Sequence, residues 1–235
     1  MGWSGKPKSK IRYYYIMSQE DRKKWDDRYA AGSHGGRVAA SLFLQDWFST
    51  YSDHISSGLT AQSGFEATSP EKPRALDVAC GTGRNARYLV QEGFTVDAVD
   101  ISPIGLERAR DLSSDDLLDV RWIEADLDNY NFSLASYDLI ILFRYKNIEL
   151  MPKLVAALKP GGYFLCEQHL QSAAGVVGPT NPVFRWAPGE LPDLVSSCAL
   201  QIVSCFEGLV QDPDSKPAAL ARVVACKKWH AKNDM

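Results

Sequence analysis

The stretch from Arg74 to Gly93, "RALDVACGTGRNARYLVQEG", constrains this chain more than any other. An apolar run ends at a glycine pair, and a helix-like segment follows that Gly93 closes as its C-terminal glycine. A tight glycine turn at the carboxyl end of a first parallel strand places a ligand beside exposed backbone amides. The spacing Gly81-x-Gly83-x-x-Ala86 fits the relaxed dinucleotide fingerprint. By itself, then, the turn permits a pyrophosphate or a ligand with no phosphate at all.

Downstream the chain alternates. "FTVDAVD", "VRWIEAD", "YDLIILF" and "YFLCEQH" read as strands, with Ser102 and Pro103 as N-cap and first-turn proline of one intervening helix. A helix near "MPKLVAALK" stops at Pro160-Gly161-Gly162, and "GELPDLVSSC" is a short helix after the loop-rich stretch 170–188. The last two strands, "LQIVSCFEGLV" and "AALARVVACKK", have no helix between them and are expected to pair as an antiparallel hairpin. This order predicts an α/β, Rossmann-like, seven-stranded mostly parallel sheet over 74–230.

Upstream, "SQEDRKKWDDRYAAG" predicts a polar helix with Trp25 and Tyr29 on one face. "GRVAASLFLQDWFSTYSDHI" predicts an amphipathic helix whose apolar stripe is Val38, Leu42, Trp47, Tyr51 and Ile55. Residues 17–60 are therefore expected to be N-terminal helices capping the ligand site, and 58–73 a Ser-, Gly- and Pro-rich linker. Residues 1–16 hold Lys6, Lys8, Lys10 and Arg12 and no acid, and show no apolar periodicity. They read as a flexible basic extension.

Three acids bear on the ligand. Asp100 closes the second strand, where a carboxylate accepts from ribose hydroxyls; nicotinamide cofactors and S-adenosylmethionine share that ribose. Asp77 lies inside the first strand, where burial demands donors such as loop amides or a ligand ammonium. Asp126, in "EADLDNY", is placed to accept from an adenine amino group. Together with the closing hairpin, Asp77 and Asp126 move the balance away from a dinucleotide.

Residues 74–169 resemble the class I S-adenosylmethionine-dependent methyltransferases, with "LDVACGTGRNARYL", "VDAVDIS", "IEADL" and "LKPGGYFLCE" in that family's order. "GTGRNARYLVQEGFTVDAVDIS", "FRYKNIELMPKLVAALKPGG", "KWDDRY" and "NPVFRWAPGEL" are similar to the tellurite-resistance and thiopurine methyltransferase-like branch. The resemblance implies S-adenosylmethionine as cofactor and assigns contacts to it. Gly81 and Gly83 approach its methionine part with Asp77 ordering the loop, and Asp100 takes the ribose. Ile101 packs on the adenine, and Asp126 with the Leu127 amide reads its edge. Phe143 lies near the reacting methyl group, and Trp25 and Tyr29 close over the methionine end.

The acceptor is less constrained, because a fold that binds the cofactor does not name the nucleophile. A thiolate, selenide or tellurite-derived anion needs no base, whereas an oxygen or nitrogen acceptor can need one. Arg144 and Tyr145 after the fourth strand, His169 after the fifth, and His34 and Arg37 near the N-terminal helices are acceptor-side candidates. Arg144 suits an anionic acceptor or the cofactor carboxylate, and His169 is the candidate base. Trp186 either lines a lid or pins the 170–188 loop. A small-molecule acceptor, a thiol or other chalcogen compound, is the preferred reading. The alternatives are RNA or protein methylation through residues 1–16, and a catalytically silent cofactor-binding protein. A net charge of -3 argues against wholesale nucleic-acid binding.

No apolar run reaches bilayer length and no signal-like apolar segment opens the chain, so a cytoplasmic location is expected, with mitochondrial targeting by the basic start as a minor alternative. The five cysteines, an odd number without C-x-x-C spacing, read as reduced core residues with no metal site.

Overall fold

The computed structural model describes residues 19–32, 36–50, 72–113, 119–211 and 217–228. The basic start (1–16), His34, Tyr51, Ile55, most of the 58–73 linker and the turn at Asp212-Pro213-Asp214 lie outside the described residues.

Seven strands form one sheet in the order β3-β2-β1-β4-β5-β7-β6. They are β1 (Arg74–Val78), β2 (Thr95–Asp100), β3 (Val120–Glu124), β4 (Tyr137–Phe143), β5 (Leu158–His169), β6 (Leu200–Gln211) and β7 (Pro217–Lys227). The first five are parallel, while β7 runs antiparallel to both β5 and β6. The expected closing hairpin is there. Strand order reverses between β1 and β4, which opens a crevice at their carboxyl ends.

Helices α1 (Gln19–Ala30), α3 (Arg84–Gln91), α4 (Pro103–Asp111), α5 (Leu150–Ala157) and α6 (Glu190–Ser197) connect or flank the strands, and residues 42–50 form α2. Side chains alternate across the sheet with period two. Leu76, Val78, Ile140 and Leu142 join Leu154 of α5 and Val195 of α6 on one face. Ala75, Leu139, Ile141 and Leu165 join Leu44, Trp47 and Phe48 of α2 and Leu89 of α3 on the other. Asp77 has the parity of this second face, as do Glu167 of β5 and Arg222 of β7.

Helix α4 starts as its sequence predicts. The Ser102 hydroxyl accepts the Gly105 amide at 3.0 Å, and Pro103 occupies the first turn. Gly93, at φ +92°, follows α3 in the left-handed conformation that glycine tolerates.

Two expectations are corrected. Helix α2 begins at residue 42, so Val38 precedes it and is 60% exposed, and Leu42 is 48% exposed. Its buried stripe is Leu44, Trp47 and Phe48, spaced i, i+3, i+4. Nor are all the cysteines in the core: Cys166 is buried, but Cys205 is exposed on the edge strand β6. All five are free thiols.

Candidate functional site: the crevice between β1 and β4

The glycine turn joins β1 to α3. Gly81 and Gly83 hold φ of +56° and +69°, a conformation costly for residues with a side chain. A Cβ on Gly83 would lie 2.2 Å from the Trp122 ring, so this glycine is also required for α3 to pack near β3. At Gly81 a Cβ would meet the Tyr29 hydroxyl at 2.7 Å.

Asp100 ties the tip of β2 to this turn. Its Oδ2 accepts the Gly81 amide at 2.8 Å and its Oδ1 the Ser102 amide at 2.9 Å. Burial pushes its carboxyl above the usual range, although the Ser102, Gly81 and Ile101 amides pull the other way. Asp77 is 2% exposed, and its Oδ2 has no partner among the described residues. Burial, then the nearby Asp100, push the Asp77 carboxyl up to about 7, against Arg84 and the Ala86 amide.

Helix α1 closes over the turn. The buried Tyr29 ring lies against Gly81 and Gly105, and Trp25 stacks on it with centroids 6.0 Å apart. Burial, and the Asp100 charge after it, push the Tyr29 hydroxyl well above its ordinary value. The helix is fixed by the Ser102 hydroxyl donating to Asp26 at 2.5 Å and by the Arg22–Glu124 ion pair at 2.6 Å. Ile101 is buried at the tip of β2. Asp126 falls two residues beyond β3, in a turn where it accepts the Asp128 amide (3.0 Å) and the Asn129 side-chain amide (2.8 Å). Leu127 is buried in the core.

At the ends of β4 and β5, Phe143 packs against Phe43 with centroids 5.7 Å apart. Arg144 follows with φ +61°, rare outside glycine. Its Nε donates to Glu167 Oε1 at 3.0 Å, while Arg222 donates to Glu167 Oε2 at 2.8 Å. The Arg144 Nη1 lies 3.3 and 3.4 Å from the two ring nitrogens of His169, so the guanidinium faces the imidazole broadly rather than aligning with one lone pair. Gly178 packs on the same imidazole. Arg84 adds to the positive side: burial, then Arg144 and Arg37, lower its guanidinium from the ordinary value. The crevice thus offers an orphaned carboxylate at one end and clustered arginines with a histidine at the other.

Residues 75–162 match the family profile described as "Methyltransferase domain". Residues 75–162 of this chain are similar to methyltransferase domains, and the sheet that carries them has the fold of solved S-adenosylmethionine-dependent methyltransferases. S-adenosylmethionine is the cofactor of such domains. An uncharacterized methyltransferase of Bacillus subtilis (strain 168), YodH, is 31% identical over 103 residues, which cover 42% of this chain and 44% of the relative. The chain spans about half the length of the curated relatives it matches. Among solved structures, one described by the conversion of a disulfide bond into a thioacetal group during echinomycin biosynthesis aligns at TM-score 0.62. It is 18% identical and covers 90% of this chain and 94% of its own. TehB from Haemophilus influenzae aligns at TM-score 0.55 with 20% identity, covering 79% of this chain and 67% of its own. At these identities the structures establish the fold alone.

The residues of the methyltransferase domain fit the cofactor. A buried carboxylate oxygen without a donor among the described residues suits a ligand carrying cationic centres. The two Asp100 oxygens, which together offer about four lone-pair positions, keep acceptor capacity beyond the Gly81, Ser102 and Ile101 amides. The sequence-predicted residues Asp77, Gly81, Asp100, Tyr29 and Trp25 gather around this turn. Asp126 is placed at the rim with its oxygens engaged in its own turn.

Of the residues the sequence suggests for the acceptor, Arg144 and His169 meet, and Arg37 interacts electrostatically with Arg84. Tyr145 is half-buried against the main core, with its carbonyl accepting from Gln168 at 3.0 Å. Trp186 takes the anchoring position: it is buried in the main core under Lys146, where it pins the 170–188 loop. Sequence reasoning missed Glu167, Arg222 and Arg84. A signal existed for the first two. Each is a charge well inside its strand beside apolar neighbours, of opposite sign, and the register pairs Glu167 directly with Arg222.

Proposed function

We propose that the chain transfers the methyl group of S-adenosylmethionine to a small anionic acceptor, with a thiol or other chalcogen nucleophile as the preferred class. The observation that carries this reading is Arg144, held by the buried Glu167 and facing His169, with Arg84 within electrostatic reach of both Arg144 and Arg37. The tellurite-resistance branch is consistent with it through "GTGRNARYLVQEGFTVDAVDIS" and the shared fold with TehB.

Bound in the crevice, the cofactor supplies an electrophilic methyl group on a sulfonium. Asp77, Asp100 and the glycine turn would hold it, with Ile101, Asp126, Leu127 and Phe143 as the further residues that the resemblance assigns to its contacts. Tyr29 and Trp25 exclude water from the methionine end, which strengthens electrostatic contacts inside. Arg144 and Arg37 draw in and orient an anion, and orientation alone supplies much of the acceleration available to a displacement reaction. A thiolate needs no proton acceptor; an acceptor arriving as the neutral thiol gives its proton to His169.

The test is a tritiated-methyl assay over thiols, selenide and tellurite, combined with calorimetry of S-adenosylmethionine binding. Turnover of a chalcogen acceptor whose KM rises in Arg144→Gln supports the reading. Methylation of none of them by a protein that binds the cofactor overturns the acceptor class, and absence of cofactor binding overturns the reading as a whole.

A further inference from the structure

A second cavity, of about 380 Å³, lies on the α2 side of α3. Arg84, Arg87, Tyr88 and Gln91 line it, spaced i, i+3, i+4, i+7 so that they share one helix face. Gln45 of α2 faces them, and Val38 and Leu112 stand at the rim, both well exposed.

Arg87 is the unusual member. It is 6% exposed, its Nη1 donates to the Thr82 carbonyl at 2.7 Å, and its Nη2 is buried with no partner among the described residues. A buried donor without an acceptor is destabilising, and more so when charged. Arg84 beside it donates only a long bond to the Ala39 carbonyl, at 3.3 Å, and no carboxylate pairs with it among the described residues. No described residue lining the cavity is acidic. Two guanidiniums thus meet in a cavity whose walls hold no countercharge, under an apolar rim.

We propose that this cavity binds a small organic oxyanion. A carboxylate or phosphate head sits on Arg87 and Arg84, where planar guanidiniums match oxyanion geometry, and a short apolar body rests against Val38 and Leu112. The site shares Arg84 with the crevice, where the Asp77 and Glu167 charges also act on it, while its other lining residues stand apart from Asp77 and Asp100. It touches the glycine turn through the bond from Arg87 to Thr82.

The experiment is calorimetric titration of the full chain with phenyl phosphate, benzoate and inorganic phosphate, with and without saturating S-adenosylhomocysteine. The expected result is one site for an aryl probe, present in both conditions, and about tenfold tighter than for inorganic phosphate. The stronger of the two aryl probes identifies the head group. Arg87→Gln is expected to weaken binding by about tenfold or more. Gln91→Glu, which puts a countercharge in the cavity without touching the Thr82 bond, is expected to do the same while S-adenosylhomocysteine still binds. No binding of either aryl probe at millimolar concentration overturns the proposal, as does unchanged affinity in Gln91→Glu. Equal affinity for inorganic phosphate removes any role for the rim and overturns the organic ligand.

Discussion

Asp100 Oδ2 accepts the Gly81 amide at 2.8 Å, across 19 residues of sequence. The carboxylate proposed to meet a ribose therefore also braces the glycine turn proposed to meet the rest of the cofactor. Asp100→Ala leaves the buried Gly81 and Ser102 amides without acceptors. It is expected to destabilise the apo protein by about 2–4 kcal/mol, and to weaken S-adenosylhomocysteine by about tenfold or more. Denaturant unfolding and calorimetry measure the two effects. Unchanged stability would show that water takes over the brace.

Asp77 sets a pH dependence. Its carboxyl is pushed up to about 7 by burial and by Asp100, far above the unfolded-state value. The folded apo protein therefore binds a proton that the unfolded chain does not, and gains stability as pH falls from about 7 toward about 4. A cationic ligand needs the ionised form, so S-adenosylmethionine affinity is expected to plateau above about pH 7 and to drop by up to about tenfold per unit below it. In Asp77→Asn the apo melting temperature at about pH 8 rises, and the affinity is weak and flat with pH. A wild-type affinity flat between pH 5 and 8 would refute the assignment.

Glu167 is 1% exposed and holds two arginines at once. Removing one partner of a buried ion pair costs about 3–5 kcal/mol, so Glu167→Gln should unfold at distinctly lower denaturant. As a positioning residue it acts through Arg144. The acceptor KM is expected to rise by about tenfold, with S-adenosylhomocysteine affinity nearly unchanged. Equal losses in both would place its effect on the whole crevice instead.

At the opposite end of the sheet, Asp97 accepts Tyr137 at 2.6 Å, Arg121 at 2.7 and 2.9 Å, and Arg74 at 3.0 Å. Burial opposes ionisation there, but Arg121, Tyr137 and Arg74 win and hold its carboxyl below the ordinary value. Its contribution is complete above the unfolded-state pKa and is lost as pH falls through the depressed folded value. Asp97→Asn is expected to cost about 1–3 kcal/mol at neutral pH and progressively less in acid. Urea denaturation from about pH 7 to 3 separates this acid from Asp77, whose effect has the opposite sign.

The strand-helix alternation, the glycine turn and the closing hairpin were legible because each rests on local chemistry. Period-two burial, a capping serine before a proline, and glycine at positive φ leave marks within a few residues. The same locality explains the error in α2. Val38, Leu42 and Trp47 match a helical period loosely, and only the tertiary packing of Leu44, Trp47 and Phe48 against β1 and β4 shows which stripe is buried.

By itself the sequence determined the sheet, the glycine turn and the two strand acids Asp77 and Asp100, whose positions are tied to their own strands. Only the tertiary structure decided which charges meet: Glu167 with Arg144 and Arg222, Asp97 with Arg74, Arg121 and Tyr137, and Arg87 facing an empty-handed cavity. Such pairings join residues tens of positions apart. They are set by strand register and by which face of the sheet or helix each side chain takes, and neither leaves a local trace.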